Sequence, residues 1–235
     1  MQATVLLVPL LLAAAPPARA RAADVGWREV ACAGGHYRYL LYSPARHWAV
    51  PAIVLLNGAG GAPEPMVAAW RDLARREGIA LVAPELPVVA SFEAVAPSVF
   101  RCEVEDAGRI VALDRSRIYV FGNSMGGYLA YDAAMLASRF FAAVAVHAMD
   151  IAPAYDRIVD SAARRTPVAM YIGDRDPLVS VARVRRTRDL LQGRGFPVRY
   201  LELPGHDHDY FAASDFINAD AWAFLRRHTL PSPGR

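Results

Sequence analysis

The sequence predicts an α/β fold, a mostly parallel central sheet with helices on both faces. Three observations predict it. From residue 52 onward, short apolar runs alternate with longer runs of helical periodicity, the pattern of repeated strand–helix units. Several of the short runs, Ala52–Leu56 and Phe141–His147 among them, are apolar throughout or up to their last residue, as strands covered on both faces are. Finally, Gly122-Asn123-Ser124-Met125-Gly126 sits between a strand-like run, Arg117–Phe121, and a helix-like run, Gly127–Leu136. A serine flanked by small residues at ±2, between strand and helix, has the context of a nucleophile elbow.

The elements follow in order. Trp27–Ala31 and Tyr37–Tyr42 read as an antiparallel hairpin turning at Gly34-Gly35, with Ser43-Pro44 ending it. Ala52–Leu56 runs into the Gly-rich loop Asn57-Gly58-Ala59-Gly60-Gly61. A helix opens at Pro65 with Met66, Trp70, Leu73 and Ala74 on one face, and stops at Gly78. Ile79–Pro84 is the next strand, and residues 85–97 read as irregular. The spacing of Val99, Val104, Ala107, Ile110 and Val111 predicts a helix from about Ser98 to Leu113. Asp114-Arg115-Ser116 turns into the strand before Ser124. Beyond Phe141–His147 come a helix near Tyr155–Arg164, a strand at Thr166–Ile172, and a helix capped by Ser180. Val198–Leu203 is the last strand, and Ser214 caps the terminal helix.

The chain of 235 residues is long enough for one domain with a full core. Residues 24–230 form that domain, and 231–235 read as a flexible tail. Residues 1–23 read as a secretory signal: the apolar run Val5–Ala15 is too short to span a bilayer, and small residues at Ala18, Ala20 and Ala22 fit a cleavage site. A secreted or periplasmic protein is expected, without stable membrane insertion after cleavage. All 26 basic residues are Arg, but the net charge is only +3 and the Arg residues are scattered along the chain. That argues against nucleic-acid binding. Two cysteines in an exported chain, Cys32 and Cys102, suggest one disulfide. Neither has the spacing of a metal site, and the glycine-rich loop lacks the Lys of a P-loop, so no metal or cofactor is expected.

A serine nucleophile needs a base, an acid to orient the base, and donors for the oxyanion. In the elbow architecture the acid and the histidine follow the serine in that order. Asp176, in the loop Gly173-Asp174-Arg175-Asp176-Pro177, is the candidate acid, with Asp174 as the alternative. His208 is the candidate base, in Gly205-His206-Asp207-His208-Asp209-Tyr210 after the last strand. His206 is its alternative, and its removal is expected to be mild if His208 is the base. His147 ends a strand and could line the pocket. The candidate oxyanion donors are the backbone N–H groups of Met125, next to the serine, and of Ala59 in the Gly-rich loop.

On these motifs the chain resembles the α/β-hydrolase serine esterases, in particular the group of esterase D (S-formylglutathione hydrolase), feruloyl esterases and polyhydroxybutyrate depolymerase-like proteins. The likeness covers nearly all of the chain after the leader. Gly122-x-Ser124-Met125-Gly126-Gly127 matches the group's nucleophile motif, His208 its histidine position and Asp176 its acid position. The resemblance implies an α/β-hydrolase fold with a Ser124–His208–Asp176 triad, acting on small-molecule or oligomeric esters. Acyl transfer or peptide hydrolysis on the same triad, or a non-catalytic binding protein on this fold, are the alternatives. Asn57 departs from the group, where many relatives carry His or Ser before the oxyanion glycine. No long insertion stands in the chain, so no lid domain is expected.

Overall fold

The computed structural model describes residues 24–32, 34–87 and 96–231. The leader reading for residues 1–23, most of the irregular segment 85–97, and the end of the tail fall outside them. Eight strands form one sheet: β1 (Asp24–Cys32), β2 (Gly35–Ser43), β3 (Val50–Leu56), β4 (Ala80–Pro84), β5 (Leu113–Asn123), β6 (Ala143–His147), β7 (Val168–Gly173) and β8 (Val198–Leu203). Their spatial order is β1-β2-β4-β3-β5-β6-β7-β8. The first hairpin and its pairing to β4 are antiparallel, and every later pairing is parallel. Among the described residues five α-helices cover it: α1 (Pro63–Glu77), α2 (Pro97–Ala107), α3 (Met125–Leu136), α4 (Val181–Gly193) and α5 (Ser214–Leu225). This is the α/β-hydrolase fold.

All residues of β3, β4, β6 and β7 are buried, because helices close both faces of the sheet. The two-residue period of β3 divides its side chains. Val54 and Leu56 pack towards Phe100 of α2, Leu129 of α3 and Leu191 of α4. Ile53 and Leu55 pack towards Trp70 of α1 and Trp222 of α5. Trp70 and Phe121 meet edge-on, their centroids 5.2 Å apart. Among the described residues no helix is long and apolar enough to cross a membrane.

Several boundaries differ from the sequence reading. The first helix starts at Pro63, one turn-setting proline earlier than Pro65. α2 ends at Ala107, not Leu113, because the N–H groups of Arg109, Ile110 and Val111 turn back onto Asp106 and Ala107. Leu113 then opens β5. The expected turn at 114–116 is a bulge within that strand: Val50 pairs Leu113 but Ala52 pairs Ile118. Asp114 holds it by accepting from the Ser116 N–H and hydroxyl and from Arg117 Nε. The helix expected near 155–164 is a 3₁₀ helix, Pro153–Ser161. Arg164 lies beyond it and donates to the carbonyls of Ser138, Phe141 and Ala142. Ser180 precedes α4 without a side-chain cap, and its backbone carbonyl accepts from Arg183 and Val184 instead. Ser214 is the first residue of α5, which has no side-chain cap; Asp209 instead caps the 3₁₀ turn Tyr210–Ala213 before it, its carboxylate accepting from the Phe211 N–H.

Cys32 and Cys102 are joined as a disulfide, with Cα atoms 6.5 Å apart, pinning the end of β1 to α2. The next residue, Glu103, is 1% exposed and its Oε2 has no partner. Burial raises its pKa from 4.5 to about 9. The native state therefore holds a proton that the unfolded chain releases between those values. Stability falls by about 1.4 kcal/mol per pH unit as pH rises through that window. Glu103→Gln is expected to raise Tm at pH 8 and leave it nearly unchanged at pH 4.5. Equal shifts at both pH values in thermal unfolding would contradict this.

Candidate active site

The parallel strands β5, β7 and β8 deliver their C-terminal ends to one edge of the sheet, where such folds place ligands. Ser124 forms the turn between β5 and α3 with φ 51° and ψ −120°, a backbone conformation strained for a residue with a Cβ. Its N–H donates to the carbonyl of His147, at 2.8 Å. The turn closes only because its neighbours lack side chains. A Cβ on Gly122 would overlap the carbonyl of Gly126, and one on Gly126 would overlap the carbonyls of Leu56 and Asn57.

Asp176 follows β7. Its Oδ1 accepts from the N–H groups of Leu178 and Val179, each at 2.8 Å, and its Oδ2 faces His208 Nδ1 at 2.7 Å. The side chain is fully buried, and these three donors satisfy it. Because a carboxylate only accepts, His208 carries its proton on Nδ1. The lone pair of Nε2 is then free to accept from the Ser124 hydroxyl, 2.8 Å away. Ser124, His208 and Asp176 thus stand in one hydrogen-bonded line.

The alternatives are engaged elsewhere. Asp174 accepts from the N–H of Gly205 at 2.7 Å and so ties the acid loop to the histidine loop. His206 Nε2 lies 3.1 Å from Nε2 of His147. His147 in turn places Nδ1 2.8 Å from Asn123 Oδ1. This chain of contacts was not foreseen from sequence. Its available signal is register, since Asn123 and His147 end adjacent parallel strands and pair directly.

The Gly-rich loop packs beside the serine. A Cβ on Gly58 would stand 3.3 Å from Ser124 Cβ, so Gly58 allows the close approach. Gly61 N–H closes the turn onto Gly58 O at 3.0 Å. Ala59 is exposed in that turn. Met125 opens α3, so its N–H has no partner a turn earlier in the helix. Asn57 is buried, and its Nδ2 donates to Gly58 O while its Oδ1 has no partner. The residue that departs from the resembling esterases thus braces the loop internally.

The family model described as the dienelactone hydrolase family matches residues 92–227, more than half of the chain. This chain belongs to the dienelactone hydrolase family. The matched span holds Ser124, Asp176 and His208, and stops short of the Gly-rich loop. Acyl-protein thioesterase 1 of Gibberella zeae is 31% identical over 109 residues, which are 46% of this chain and 40% of that protein. The alignment therefore spans less than half of that relative's length.

Solved structures share the fold of this family member. An S-formylglutathione hydrolase from Agrobacterium tumefaciens superposes with a TM-score of 0.68 at 19% identity, covering 88% of this chain and 95% of its own. A thermostable esterase gives 0.70 at 21%, covering 88% of this chain and 63% of its own. A hyperthermophilic esterase from Pyrobaculum calidifontis gives 0.69 at 18%, covering 87% and 86%.

Proposed function

We propose that this dienelactone hydrolase family member is a serine hydrolase of carboxylic esters. One observation carries the reading: the His208 imidazole lies between Ser124 Oγ at 2.8 Å and Asp176 Oδ2 at 2.7 Å. Ser124 attacks the ester carbonyl while His208 Nε2 takes its proton. Asp176 keeps His208 in the required tautomer and stabilises the imidazolium. The oxyanion of the tetrahedral intermediate sits on the N–H groups of Met125 and Ala59, each such donor being worth about 3 kcal/mol in the transition state. The intermediate expels the alcohol, protonated by His208. Water, activated by the same imidazole, then releases the acid from Ser124.

The family and the relative named as a thioesterase support ester or thioester substrates. Feruloyl esters and polyesters are finer readings that rest on the sequence resemblance. We place the mature protein outside the cytosol, secreted or periplasmic, a reading supported by the Cys32–Cys102 disulfide and by the leader-like residues 1–23. With no long insertion in the sequence, we read the site as open and suited to short acyl chains. Turnover of p-nitrophenyl butyrate is expected to exceed that of the palmitate ester, and a clear preference for palmitate would overturn an open site. A panel of thioesters, feruloyl esters and hydroxybutyrate oligomers then separates the finer readings.

A further inference from the structure

Beside the three residues in line runs a second path of polar contacts. Asn123 precedes the nucleophile, and its Oδ1 holds Nδ1 of His147 at the end of β6. His147 is fully buried. Its Nε2 meets Nε2 of His206, two residues before His208. The backbone carbonyl of His206 accepts from the N–H of Arg175 at 3.0 Å, in the loop that carries Asp176. That carbonyl packs so closely on Gly173 that a Cβ there would overlap it. The contacts close a ring from the nucleophile, through His147 and His206, to both other loops.

Proton placement along the ring follows from the Asn123 amide oxygen facing His147. A neutral imidazole has one N–H and one lone pair. With Asn123 Oδ1 accepting, His147 donates from Nδ1 and must accept at Nε2. His206 therefore donates its Nε2–H. His147 stays neutral throughout ordinary pH, because burial first, and His206 and His208 next, push its pKa down to about 3, against the pull of Asp176. Its acceptor lone pair is thus always available. The ring of Tyr210, 5.8 Å away, packs beside it.

We propose that His206 is a positioning residue: by donating to His147, itself held by Asn123, it fixes the histidine loop against the nucleophile strand and sets the Ser124–His208 approach. The proposal rests on the serine-hydrolase reading for its kinetic consequence. Pro204, Gly205, Asp207 and Asp209 in this loop are all exposed, whereas the His206 side chain reaches inward to a buried partner. Hydrogen bonds that anchor an otherwise exposed loop to a buried partner favour one arrangement of it. A displacement of about 1 Å at the reacting groups costs on the order of 100-fold in rate.

The test compares two substitutions. His206→Phe removes the donor, while His206→Gln can supply an N–H towards the same lone pair. His206→Phe is expected to lower kcat about 10- to 100-fold with KM nearly unchanged, and His206→Gln to recover most of it. The mild effect expected from sequence for losing His206 is thereby revised. A second readout needs no turnover: the NMR resonance of the His208 Nδ1 proton shared with Asp176. It should shift in His206→Phe and return in His206→Gln. Wild-type kcat and an unmoved resonance in His206→Phe would overturn the proposal, as would a Gln variant as impaired as Phe in both. If the wild type hydrolyses no ester, the functional reading fails, and the resonance alone still decides the positioning role.

Discussion

His208→Ala is expected to lower ester turnover about 10⁵-fold, with little change in KM and a native unfolding transition. The reason lies in what the imidazole joins. A serine hydroxyl is a poor nucleophile at neutral pH, and the only base within reach of Ser124 Oγ among the described contacts is His208 Nε2, at 2.8 Å. His206 cannot take over, since its own Nε2 faces His147. The loss comes from chemistry made only in the transition state, so it falls on kcat. Steady-state kinetics on a p-nitrophenyl ester checks this. A loss of tenfold or less would remove His208 from the role of base.

Gly126→Ala is expected to be among the most damaging methyl additions at the described glycines. Its Cβ would overlap the carbonyl of Leu56 and stand 2.7 Å from that of Asn57, and backbone of a central strand cannot rotate away as a side chain can. We expect a cost of about 3 kcal/mol or more, a fall in Tm on the order of 10 °C, and loss of activity, because the overlap lies at the elbow itself. Gly193→Ala is the matched control, since a Cβ there meets nothing within 4 Å. Thermal unfolding of the two variants decides it. An unchanged Tm in Gly126→Ala would mean that the elbow can relax.

These residues differ in how far they were legible in the sequence. The elbow is local: its glycines stand two residues either side of Ser124, so the steric demand appears as a short motif. The parallel sheet was legible because strands buried on both faces have almost no polar positions, as in β3 and β4. Asp176 and Asp174, two residues apart in one loop, could not be separated by spacing. The structure separates them by partner, His208 for one and Gly205 for the other. The end of α2 was misread because Ile110 and Val111 continue its apolar period, although the chain there folds back in turns. The contact between His147 and His206 joins residues 59 apart in sequence, and only the sheet order brings them together.

Whether Ser124 is an activated nucleophile is read out by intact-mass spectrometry after treatment with a fluorophosphonate. One phosphonyl group per chain is expected, mapped to Ser124, formed rapidly in the wild type, far more slowly in His208→Ala and not at all in Ser124→Ala. An unmodified wild type, or a label that persists in Ser124→Ala, would contradict it.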